Sequence, residues 1–130
     1  MNSEQLTESL KKEAKRLGFD LVGACPAVTP TGYDQFLNWL EAGYAGEMHY
    51  LEERKQAYQH PRSVLPEVTS ILMLGMHYRT EKRTQAGHGQ GRIARYAWGN
   101  GDYHDLIHKR LKQLKRTVQS LDESIVVRGV

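Results

Sequence analysis

The side chains best suited to chemistry are gathered in Gly91-Arg-Ile-Ala-Arg-Tyr-Ala-Trp-Gly-Asn-Gly-Asp-Tyr-His104. Two arginines, two tyrosines, a tryptophan and a histidine stand there between glycines, immediately before a helical pattern. Flat rings beside guanidinium groups and the free N–H groups of a helix start suit a large planar cofactor or a nucleobase. The competing reading is a small aromatic core pinned by arginine–backbone hydrogen bonds. Other candidates are poorer. Gly87-His-Gly-Gln-Gly91-Arg92 misplaces the third glycine of a dinucleotide fingerprint and follows a polar loop, and no Gly-Lys-Ser/Thr phosphate loop occurs. His104 and His108 have the one-turn spacing with which two imidazoles share a metal, but no third ligand accompanies them and no metal site is assigned. His108 reads as a surface residue and His104 as a helix-start residue whose neutral ring donates to a ligand. Cys25 is the one cysteine, so the chain has no internal disulfide and no self-contained iron–sulfur cluster; after an apolar run and before Pro26 it reads as a small buried hydrophobe.

The elements that must position these residues follow from local pattern. Asn2 and Gln5 suit a capping box, and Leu6, Leu10, Ala14 and Leu17 recur at helical spacing up to Gly18, which predicts a helix over residues 3–17. Phe19–Ala24 reads as a strand leading into a loop at Cys25-Pro26. Asp34 is expected to cap a second helix bearing Phe36, Leu37 and Leu40. Gly43 and Gly46 bracket a turn before a third helix with Met48, Leu51 and Arg54, and Pro61 and Pro66 close that region. The apolar run Ser70–Met76 suggests a strand buried on both faces, at the centre of a sheet. A glycine-rich polar loop follows. From Asp102 a long helix places Ile107, Leu111, Leu114, Val118 and Leu121 on one side and leaves Lys109, Lys112, Lys115 and Arg116 toward solvent or a polyanion. Ile125-Val126-Val127 begins a third strand. The fold expected is α/β (α+β), with helices packed on a small mixed sheet and residues 1–130 forming a single, incomplete domain.

Composition bounds the class. The sequence is 39% apolar and 25% charged, which is that of a globular protein, and no run approaches the roughly 20 apolar residues of a membrane span. The start MNSEQLTESLKK carries acids and amides where a secretory signal has a basic and then an apolar segment, so a cytoplasmic location without membrane contact is expected. The net charge of +3 conceals an asymmetry: residues 1–78 hold 7 Lys/Arg against 10 Asp/Glu, and residues 79–116 hold 10 against 3. Such a basic block attracts phosphates, which makes RNA, DNA or a phosphorylated cofactor a candidate partner; a solvated helix face is the plainer alternative.

The stretch Gly91–His104, followed by Leu106-Ile-His-Lys-Arg-Leu111, resembles the epoxyqueuosine reductase family. Gly18-Phe-Asp-Leu-Val-Gly-Ala24, Phe36-Leu-Asn-Trp-Leu-Glu-Ala-Gly-Tyr-Ala-Gly-Glu-Met48, Tyr50-Leu51 and His60-Pro-Arg-Ser-Val-Leu-Pro66 agree with that family in order and spacing. The resemblance implies the N-terminal cobalamin-binding domain, nitroreductase-like or corrinoid-reductase-like in fold, of an enzyme that reduces epoxyqueuosine to queuosine at the wobble position of tRNA. It further implies cobalamin and two [4Fe-4S] clusters whose cysteine ligands lie in a later region absent here. The family's proton-donating Asp is expected just beyond Val130, so no catalytic residue is assigned, and the chain alone is expected to be an inactive monomer. By position, Tyr58 and Ala94 match cobalamin contacts, although Tyr58 stands where many members carry Arg. Arg95, Tyr96, Asp102, Tyr103 and His104 match residues lining the same region, with cofactor or tRNA contact implied. Lys109, Lys112, Lys115 and Arg116 are the expected nucleic-acid contacts. An RNA-binding module, a reductive dehalogenase relative and a flavin-dependent nitroreductase-like protein are the alternatives; dehalogenases usually carry a twin-arginine signal, which this sequence lacks.

Overall fold

The computed structural model describes residues 2–130. Its elements in chain order are α1 (Ser3–Arg16), β1 (Leu21–Pro26), α2 (Tyr33–Glu41), α3 (His49–Glu53), α4 (Lys55–Gln59), β2 (Ser70–Gly75) and α5 (Tyr103–Leu121), with short 3-10 turns at Pro61–Ser63 and Arg95–Ala97. The chain divides into two compact units, residues 1–23 with 73–130, and residues 24–72. The expected class holds: helices accompany a small sheet, whose two strands are β1 and β2. Pairing is antiparallel, since Asp20 N–H donates to the Gly75 carbonyl (2.9 Å) and Ala27 N–H to that of Thr69 (3.0 Å).

In the first unit α1 packs against α5. Asn2 and Gln5 form the capping box foreseen from their spacing, each side chain accepting from the other's backbone N–H (2.8 and 3.1 Å). The other end of α1 closes in a Schellman motif: Gly18 N–H donates to the Lys15 carbonyl (2.9 Å) and Phe19 N–H to that of Ala14 (3.0 Å). Gly18 makes this possible at φ 94°, a region costly for residues with a Cβ. The turn delivers Phe19 onto Ala14, and these two, with Leu114 and Val118 of α5, are the buried apolar side chains among the described residues. Arg110 of α5 ties the two helices together by donating to the Gly18 carbonyl (2.8 Å) beside the Met76 sulfur (3.2 Å).

The second unit holds an aromatic cluster. Phe36 of α2 meets Tyr58 of α4 edge-on (5.6 Å between centroids, 90°) and stacks with Trp39 (6.3 Å), while the Tyr33 hydroxyl donates to the Lys55 carbonyl (3.0 Å). Gly43 and Gly46 make the expected turn, both at positive φ. The His60 ring caps the first 3-10 turn, accepting from Arg62 N–H at Nδ1 (3.1 Å).

Several sequence expectations are corrected. Gly32, not Asp34, occupies the N-cap of α2; Asp34 lies inside its first turn, where a carboxylate still favours the helix dipole. The expected third helix is two short ones that meet at Arg54 (φ −103°, ψ 9°). Residues 125–130 form no strand: Asp122 receives the Ser124 N–H (2.9 Å) and hydroxyl (2.6 Å) in a tight turn, and Gly129 then lies against Leu111 of α5. β-branched residues supply strand propensity but not a pairing partner. β2 is consequently one of two edge strands, half-buried rather than covered on both faces. Cys25 is exposed, because a two-stranded ribbon covers little of its own surface. No helix among the described residues is long and apolar enough to cross a membrane.

Candidate functional site

The chemistry-bearing segment folds around one 3-10 turn and one helix start, both within the first unit. Ala94 is extended (φ −60°, ψ 145°), and its carbonyl accepts from Ala97 N–H (3.0 Å) to open the turn Arg95–Ala97. Trp98 ends the turn. Its indole Nε1–H donates to the Ile93 carbonyl (3.0 Å), and the Arg95 guanidinium sits over its ring, 6.0 Å from the centroid. The Thr80 methyl lies beside the chain at Gly99, in ordinary van der Waals range (3.7 Å) of where a Cβ would stand.

The long helix expected from Asp102 onward begins there, and Asp102 caps it, accepting from His104 N–H (2.8 Å). The same Oδ1 lies 2.8 Å from His104 Nδ1. Those two hydrogen bonds with His104 hold the Asp102 carboxyl below the usual carboxylate range. An ionised carboxylate only accepts, so Nδ1 carries the proton and a neutral His104 presents Nε2 as an acceptor. This corrects the expectation of a donating neutral ring: Nε2 donates only as imidazolium. His104 stacks on Tyr103 (4.1 Å, 26°), and Tyr103 meets Tyr96 edge-on (5.9 Å, 83°). Three rings thus form one array. Tyr96 is 57% and Tyr103 41% exposed, so the array is open to a ligand and is no closed aromatic core.

Of the residues singled out from sequence, Ala94, Arg95, Tyr96, Asp102, Tyr103 and His104 are brought together by the turn and the cap. Tyr58 belongs to the other unit, where it packs on Phe36. Lys109, Lys112, Lys115 and Arg116 are exposed along α5, and none joins an ion pair among the described residues. Lys109, Lys112 and Arg116 share one concave face with Asp105, His108 and Gln113. His108 points to that face, away from any metal set; no group of three or more metal-ligating side chains occurs among the described residues. Sequence reasoning missed Lys82 and Thr84, which line one open cleft together with Trp98. Loop residues carry no periodicity, and the only local hint was the basic charge of the loop.

Known proteins share both the sequence and the fold of this chain. The family model for epoxyqueuosine reductase QueG, DUF1730, matches residues 59–130, which include the whole segment and α5. An epoxyqueuosine reductase of Gloeobacter violaceus is 37% identical over 115 residues, covering 87% of this chain and 35% of that protein. One from Pseudomonas aeruginosa is 32% identical over 120 residues, covering 89% and 33%. Among solved structures, epoxyqueuosine reductase with an epoxyqueuosine-modified tRNA-Tyr stem loop superposes with a TM-score of 0.77 at 27% identity, over 92% of this chain and 32% of that one. The enzyme from Bacillus subtilis, with its catalytic aspartate loop swung out of the active site, gives 0.79 at 28% identity over 99% and 35%. The chain therefore spans about a third of the length of the relatives it matches. With a family-model match over more than half of its residues, and with the Arg-Tyr and Asp-Tyr-His groups inside it, this chain belongs to the epoxyqueuosine reductase QueG family.

Proposed function

We propose that this chain forms the cobalamin-binding part of an epoxyqueuosine reductase, acting on tRNA in the cytoplasm. The observation that carries the reading is the open Tyr96–Tyr103–His104 array at the start of α5. A corrin is broad, flat and fringed with amides, and it needs apolar ring surface bordered by donors and acceptors. The donor set fits. The two tyrosine rings give the surface, their hydroxyls have no partner among the described residues, and Nε2 of His104 is left to accept an amide N–H. Ala94 and Arg95 border the array through the turn, and Asp102 fixes the imidazole's tautomer and direction.

Bound there, cobalamin supplies the electron-transfer chemistry that opens an epoxide. This chain's own residues hold and orient it, and Asp102 keeps a proton on Nδ1. The residues do not fit a [4Fe-4S] cluster, since one cysteine cannot supply four thiolates; cluster ligands belong to other residues of the longer relatives. The basic face of α5 is the tRNA contact. Exchanging Lys109, Lys112, Lys115 and Arg116 for Ser is expected to flatten the dependence of log K on log salt by up to about 0.9 per contact.

The reading is tested by a chimera in which this chain replaces the matching third of the Gloeobacter violaceus relative. Cobalamin titrated into it and followed by absorption should bind, and Tyr103→Phe with His104→Leu should weaken binding by roughly tenfold or more while circular dichroism is unchanged. Equal affinity in both folded proteins would assign these residues to packing alone.

A further inference from the structure

Behind the 3-10 turn lies a second concavity, separate in its lining from the Tyr96–Tyr103–His104 array. It is an open cleft of about 410 Å³ lined by Glu81, Lys82 and Thr84 of the loop after β2 and by Arg92, Ile93 and Trp98 among others. That volume is at the low end of the roughly 300–1,000 Å³ of ligand clefts. Trp98 is no free surface ring: its indole N–H is fixed to the Ile93 carbonyl (3.0 Å), and Arg95, which does not line the cleft, sits over it. The cleft therefore has one preoriented, half-buried aromatic wall. Lys82 and Arg92 give it two cations without an ion-pair partner among the described residues, against one carboxylate, Glu81.

A fixed indole beside two unpaired cations is the pairing that single-stranded nucleic acid requires, a stacking face for the base and positive charge for the phosphate. We propose that this cleft takes one nucleotide of single-stranded RNA, its base on Trp98 and its phosphate between Lys82 and Arg92. Glu81 and Thr84 then border the sugar and base edge, where a carboxylate accepts from an amino or hydroxyl group. The inference rests on the tRNA part of the preceding reading and adds a nucleotide contact distinct from the α5 face, whose lysines attract backbone without stacking a base.

The test uses the chain as it stands, with a short oligouridylate and a ribose-phosphate chain of equal length lacking bases. Oligouridylate is expected to quench tryptophan emission and to bind about tenfold or more tighter than the abasic chain. Trp98→Leu should abolish that preference, Trp98→Phe should keep most of it, and Lys82→Ser with Arg92→Ser should lower the salt slope by about 0.7 per contact. Circular dichroism of each variant identifies loss of fold, and the Phe variant serves where Leu does not fold. Binding that is indifferent to bases and to Trp98 but falls when Lys109, Lys112 and Arg116 are exchanged for Ser would overturn the cleft and leave the α5 contact standing. No binding of either chain would overturn both.

Discussion

Replacing Gly18 with Ala probes how the end of α1 is locked to α5. Two costs are expected. At φ 94° a Cβ is sterically penalised by about 1–2 kcal/mol. The new methyl would also stand 2.8 Å from Cζ and Nη2 of Arg110 and 2.9 Å from Nη1. The guanidinium sits at the end of a flexible side chain and can swing away, but it then gives up its 2.8 Å bond to the Gly18 carbonyl. A charged hydrogen bond contributes about 1.5–3 kcal/mol; partial exposure lets water replace much of it, so about 1 kcal/mol is charged to this step. Gly18→Ala should therefore destabilise by about 2–3 kcal/mol in the parent and only about 1–2 kcal/mol in an Arg110→Ala background. Urea unfolding followed by helical circular dichroism measures all four corners of the cycle. Equal costs in the two backgrounds would refute the claim that Arg110 occupies the space above Gly18.

Leu114→Ala, at a position 5% exposed between α1 and α5, is expected to cost about 2–5 kcal/mol in the same unfolding experiment, whereas Leu121→Ala, at 39% exposure, should cost well under half as much. Asp102 has its carboxyl held below 3.8 by the backbone and side-chain hydrogen bonds to His104. A depressed carboxylate contributes stability above its unfolded value and loses it as pH falls through the folded one, so the parent should lose stability below about pH 4 relative to Asp102→Asn. Parallel stability curves for the two proteins across that window would contradict the dyad.

Local hydrogen-bonding rules were readable in advance, and partners distant in sequence were not. The Asn2–Gln5 box and the Gly18 stop each depend on residues within a few positions, so spacing alone located them, and the start of α5 at Asp102 followed from where its apolar periodicity begins. The α5 face that buries Leu114 and Val118 follows from periodicity. By contrast, Ile125-Val-Val has the composition of a strand, yet it pairs with neither strand of the sheet, and nothing local reveals that. Cys25 failed for the same reason, since burial depends on what covers a strand. At the site, the residue types of Gly91–His104 suggested a surface for stacking, but which ring meets which depends on the turn at Arg95–Ala97 and on the Asp102 cap. The placement of Lys82 beside Trp98 is tertiary and left no trace in pattern.

The most direct test is whether this chain can serve as the matching third of a working epoxyqueuosine reductase. The chimera with the Gloeobacter violaceus relative, supplied with cobalamin, reductant and epoxyqueuosine-bearing tRNA, is assayed by nucleoside analysis of the digested tRNA. Conversion to queuosine at a rate well above a chimera carrying Tyr103→Phe and His104→Leu is the expected result. A folded chimera that binds no cobalamin and leaves epoxyqueuosine unchanged would contradict the assignment.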